Sequence, residues 1–79
     1  MNKRIEKMVK NYEEYIRVVT EKGTEEMNKP ANKTKFVEAY INMGTHFITT
    51  DKAKAKELFQ KALAIEPSNE IALARLKAL

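Results

Sequence analysis

The chain has 79 residues, with 15 Lys and Arg against 11 Asp and Glu, no Cys and no Trp. At that length it is one domain, with a folded surface of about 4,900 Å² against about 13,000 Å² unfolded, which leaves too little chain to wall in a substrate cavity beside a core. No disulfide or cysteine-based metal cluster can reinforce that core, so interaction-module readings lead and enzyme readings trail.

From residue 3 to 22 the apolar positions Ile5, Met8, Val9, Tyr12, Ile16 and Val19 advance by threes and fours with one step of one, which is a helix stripe and not a strand alternation. Gly23 suits the position just past a helix end, so the first helix is expected over 3–22. The polar stretch 24–32 holds Pro30 and is expected to be a connector. A second helix is expected over 34–49. Its strip is Phe36, Val37, Tyr40, Met43, Gly44 and Phe47, with Ile41 and Ile48 on a neighbouring face.

Thr49-Thr50-Asp51 breaks that pattern, and Asp51 is a good N-cap for a third helix. Residues 52–65 are strong helix formers whose apolar side is Ala55, Leu58, Phe59, Ala62, Leu63 and Ile65. Pro67 ends this third helix by forcing its predecessor out of helical angles. Ser68 or Asn69 can cap a fourth helix over 69–79, where Ile71, Leu73, Leu76, Leu79 and three alanines make an apolar surface too wide for one neighbour to cover.

The charge of +4 is spread thinly: residues 1–22 carry six basic and four acidic side chains, and residues 51–67 carry four and three. That balance suits solubility or weak attraction to acidic partners more than a dedicated phosphate surface. The start, Met1-Asn2-Lys3-Arg4-Ile5-Glu6, is charged and has no signal-peptide stretch. No apolar run approaches the roughly 18–20 residues of a membrane span. The compartment stays open.

The informative constellation lies in residues 40–67. It reads Tyr-x-x-Met-Gly-x-x-Phe, then Ala-x-x-x-Phe-x-x-Ala, then Pro. Gly44, Ala55 and Ala62 are small, while Tyr40, Phe47 and Phe59 are large, a pattern that lets two antiparallel helices approach closely and interdigitate. This pattern resembles a tetratricopeptide repeat, whose signature is Trp-x-x-Leu-Gly-x-x-Tyr, Ala-x-x-x-Phe and a closing Pro. Tyr40 stands where the family has Trp, Met43 for Leu and Phe47 for Tyr, while Gly44, Ala55, Phe59, Ala62 and Pro67 match in identity. The interval from Phe47 to Ala55 is one residue shorter than the family's.

The resemblance covers residues 36–67. It implies an all-α, four-helix fragment of a tetratricopeptide-like superhelix, a single domain over 1–79 at the C-terminal end of a longer array. Residues 68–79 resemble a capping helix, with Lys77 where a further repeat would have Gly, and residues 3–22 resemble a degenerate second helix of a preceding repeat.

The same resemblance implies a non-catalytic scaffold that binds a protein or peptide partner in a groove, or a second copy of itself, with no cofactor. Its groove-facing positions fall on Glu38, Ile41, Asn42, Thr45, Ile48 and Thr49. In family members that grip acidic C-terminal tails, an Asn at the position of Asn42 holds a terminal carboxylate. Ile41 and Thr45 stand where that clamp needs Lys and Asn, so the clamp itself is not expected. Ile41 and Ile48 are expected to be covered by a neighbouring helix or a second chain if no peptide covers them.

Other features read as ordinary surface or core. His46 is the only histidine, too few for a histidine-based metal centre. Lys52 and Lys56 share a helix face and Lys54 faces another, which is a solvated pattern. The adjacent pairs Glu13-Glu14 and Glu25-Glu26 diverge by about 100° on a helix and form no shared acid–base site. Asn32-Lys33-Thr34 fits the glycosylation pattern, which means little without a secretion signal. The alternative functions are a small basic nucleic-acid-binding module, from the +4 charge, and an accessory domain of a larger enzyme.

Overall fold

The computed structural model describes residues 3–79, and these are helical with no strand among them. Five helices follow one another: α1 (Lys3–Lys22), α2 (Thr24–Met27), α3 (Pro30–Phe47), α4 (Lys52–Ile65) and α5 (Glu70–Ala78). The chain divides into two compact units, one ending at Lys35 and one running from Phe36 to Leu79.

In the first unit α1 ends at a glycine for a backbone reason. Gly23 has φ of 103°, a region that other residues rarely enter, and its N–H donates to the Thr20 carbonyl at 3.1 Å. Val9 and Val19 on the expected stripe are buried, while Ile5, Met8, Tyr12 and Ile16 are half-buried.

The expected connector 24–32 is largely helical. Thr24–Met27 forms one turn, closed by Met27 N–H donating to the Gly23 carbonyl at 3.2 Å and Asn28 N–H to the Thr24 carbonyl at 3.0 Å. Glu25 and Glu26 suit the positive end of that turn. The next helix starts at Pro30, four residues before the expected start. Proline at the first helical position loses nothing, because its missing N–H would have had no partner there and its φ is already helical. The ladder begins at once, with Lys33 N–H donating to the Lys29 carbonyl at 2.9 Å.

In the second unit the core gathers Val37 and Ile41 of α3, Ala55, Phe59 and Ala62 of α4, and Ala72 of α5. Tyr40, Phe47, Ile48, Leu63, Ile65, Leu76 and Leu79 pack around it, half-buried. The alanines are the reason these helices come close: each withholds a side chain where a larger neighbour enters. The narrowest approach is at Gly44, where a Cβ would lie 2.9 Å from Cε1 of Phe59.

The junctions obey local chemistry. The α3 helix stops at Phe47, two residues before the expected end, and its carbonyl accepts from Thr50 N–H at 3.2 Å and Asp51 N–H at 2.7 Å. The Asp51 carboxylate accepts from Lys54 N–H at 3.1 Å and so caps α4. Asn69, rather than Ser68, caps α5: its Oδ1 accepts from Ala72 N–H at 2.9 Å.

Candidate functional site

Of the six residues expected to face a groove, α3 exposes some and buries others. Glu38 is exposed, Asn42 and Thr45 are half-buried, and all three fall within three and four residues of one another on a single helix face. They span about 10 Å along the axis. Thr49 is exposed but lies in the turn after α3.

Ile41 and Ile48 go elsewhere. Ile41 is only 9% exposed and belongs to the core with Phe59, Ala55 and Ala62. Ile48 is half-buried against the same cluster. The reason is the width of the α3 apolar stripe: Ile41 follows Val37 by four residues on the same face, and the alanines of α4 and α5 leave room for its branched side chain. Ile41 is therefore a core residue within the chain rather than part of an open groove wall. Within α3, Glu38 is the exposed member of the polar face, with Asn42 and Thr45 half-buried beside it.

Its polar capacity can be stated group by group. The Glu38 carboxylate is an acceptor and the only charge of the three. The Asn42 amide has both donor and acceptor groups, and it already takes part in an interaction within the folded chain. Thr45 Oγ1 donates to the Ile41 carbonyl at 2.8 Å, so its proton is committed to its own helix and the oxygen can still accept. Such a set recognises N–H groups and cations more readily than carboxylates.

The lysines of α4 are partly engaged with aromatic rings. Lys54 Nζ lies 4.7 Å from the centroid of Phe47, and Lys61 Nζ lies 6.0 Å from that of Tyr40. Both contacts use the cation over a ring face, and Lys61 also pairs with Glu57 at 3.4 Å. Tyr40 in turn stacks on Phe36, with centroids 6.2 Å apart and planes 18° apart.

A second polar cluster, in the first unit, has no counterpart among the sequence expectations. Tyr15 Oη donates to Asn32 Oδ1 at 2.6 Å, and Asn32 Nδ2 donates to the Glu26 carbonyl at 2.7 Å. Lys29 Nζ lies within 2.9 Å of both carboxylate oxygens of Glu26. Burial, and then the negative charge of Glu26, push the Tyr15 hydroxyl above its ordinary pKa of 10.0. The hydrogen bond from Lys29 holds the Glu26 carboxyl below its ordinary value, outweighing the opposite effect of burial. This cluster ties α1 to the chain that leads into α3. In the sequence Asn32 stands out only as a glycosylation pattern, and nothing local pairs it with a tyrosine 17 residues away.

Among the described residues no three His, Asp, Glu or Cys side chains gather in a way that could hold a metal ion. No helix among them is long and apolar enough to cross a membrane. Comparison with family models, curated proteins and solved structures finds no match for this chain.

Proposed function

We propose that this chain is a non-catalytic, tetratricopeptide-like scaffold that binds a peptide of a protein partner along the Glu38, Asn42 and Thr45 face of α3. The observation that carries the reading is the approach of Phe59 to Gly44, where a Cβ would meet the ring at 2.9 Å. It joins the family's Gly and Phe positions in one contact and supports a repeat-type hairpin. A repeat hairpin of that kind presents its first helix to a partner. The donor-seeking chemistry of Glu38 and Thr45 favours a peptide that offers backbone N–H groups and a basic side chain.

A second copy of the chain is the other reading, favoured by α5. Ile71 is 53% exposed and Leu73 is 42% exposed on a helix whose buried contact is made by Ala72.

Selection of peptides from a random display library against the full chain tests the proposal. Calorimetry then compares the selected peptide on the wild type and on Glu38→Gln, Asn42→Ala and Thr45→Val. The expected result is weakening of about tenfold for at least one of the three, on the scale of a lost charge-assisted bond. Light scattering on the same samples separates peptide capture from self-association.

A further inference from the structure

The N-terminal half of α1 carries a feature that the α3 face does not explain. Arg4, Lys7, Met8, Asn11 and Tyr12 line an open concavity of about 360 Å³. Their spacing puts them along two turns of one helix, with Met8 and Tyr12 half-buried as the floor and the exposed Arg4 and Lys7 as the rim. Over residues 3–10 the charges are Lys3, Arg4, Lys7 and Lys10 against Glu6 alone.

Lys3 and Arg4 lie in the first turn of α1, together with Glu6. The first turn of a helix carries the positive end of its dipole, which favours carboxylates and disfavours Lys and Arg. Elsewhere Arg17 pairs with Glu14 and Glu21, Lys29 with Glu26, and Lys61 with Glu57, while the other cations, like those of residues 3–10, are in no ion pair among the described residues. Among the described residues neither Arg4 nor Lys7 takes part in an ion pair. What sets this face apart is the local excess of positive charge over residues 3–10 beside the half-buried Met8 and Tyr12.

The shape decides between classes of ligand. A volume near 360 Å³ is at the lower end for a small-molecule pocket, and such pockets bury most of their ligand's surface. Here every described wall comes from one helix, so the concavity can seat a side chain projecting from a surface laid across it. Single-stranded nucleic acid would want several stacking faces along its track, and Tyr12 is the one aromatic on this surface.

We infer that the Arg4–Tyr12 face of α1 is a docking surface for an acidic amphipathic helix of a partner protein. An apolar side chain of that helix seats on Met8 and Tyr12, and flanking carboxylates meet Arg4 and Lys7. This rests on the reading of the chain as a protein-binding scaffold and adds a second surface with a partner of defined chemistry.

The test is fluorescence anisotropy of a labelled peptide of roughly 18 residues, long enough to hold a helix, with leucines on one face and glutamates flanking them. It is titrated with the wild type, with R4E/K7E, and with K52E/K56E, which makes the same change in net charge on α4. The expected result is about tenfold weaker binding for R4E/K7E and a change within about twofold for K52E/K56E. A scrambled peptide of equal charge binds about tenfold more weakly than the amphipathic one. Absence of binding, equal loss in both variants, or equal or tighter binding of a single-stranded RNA or anionic vesicles overturns the inference. The display-selected peptide is titrated in parallel: if it binds the wild type while the acidic peptide does not, the α1 inference is overturned and the scaffold reading stands.

Discussion

Gly44 and Phe59 are matched across α3 and α4: the ring of Phe59, fully buried, occupies the space a side chain at position 44 would need. A Cβ there would lie 2.9 Å from Cε1, 3.0 Å from Cζ and 3.2 Å from Cδ1. The ring cannot yield by swinging a flexible end, because three of its atoms face the same point and its surroundings are packed. Gly44→Ala is therefore expected to destabilise the chain by about 1–3 kcal/mol through overpacking, partly offset by about 1 kcal/mol of helix propensity gained on leaving glycine. Urea unfolding checks this, and the Phe59→Leu background separates the causes. With the ring removed, the cost of Gly44→Ala should fall or change sign.

The Tyr15 to Asn32 bond links α1 to the start of α3 across 17 residues of chain. Tyr15→Phe and Asn32→Ala should each destabilise the folded chain by about 1 kcal/mol, and the double variant by less than their sum. A strictly additive double-mutant cycle would show that the bond contributes nothing of its own.

The same tyrosine sets an alkaline limit. Its folded-state pKa is raised above 10.0 by burial and by Glu26, so the folded state holds the proton more tightly than the unfolded one. The stability linked to it is complete below the unfolded value and is lost as pH rises through the folded value. In a titration followed by phenolate absorbance, one tyrosine should ionise late, and Tyr15→Phe should remove that late step.

At the acid end Glu26 works in the opposite sense. Its pKa is lowered by the hydrogen bond from Lys29, so its contribution is present above the ordinary carboxylate range and is lost as pH falls through the folded value. Lys29→Met should flatten this part of the stability-versus-pH curve, measured by thermal unfolding from neutral to acidic pH.

The two caps give a local comparison. Asp51→Ala and Asn69→Ala each remove a side-chain acceptor from a helix N-terminus and should cost about 1 kcal/mol. Ser68→Ala should be close to neutral, since Asn69 and not Ser68 holds the Ala72 N–H. Thermal melts of the three variants suffice.

What can be read from the sequence is the part governed by neighbours along the chain. Gly23 ends α1, Asp51 caps α4, and Ala55, Phe59 and Ala62 face inward, because each signal acts within one or two helical turns. Pro30 misleads because proline both breaks helices and starts them, and only the backbone on either side decides which. Asn32 and Tyr15 find each other through tertiary geometry that no local pattern encodes. The register of the repeat resemblance puts Ile41 among the groove-facing positions and leaves it to be covered, and it is buried in one cluster with Ala55 and Ala62 of α4 and Ala72 of α5. Of the candidate site, the face of Glu38, Asn42 and Thr45 is legible as helical spacing.

The claim that α3 carries the partner face is tested most directly by amide chemical-shift mapping of the isotope-labelled chain titrated with the display-selected peptide. The account predicts shifts that saturate and cluster at Glu38, Asn42 and Thr45, with the amides of Ala55 and Ala62 little changed. Shifts confined to α1 or α5, or no saturable shift with any selected peptide, would contradict it.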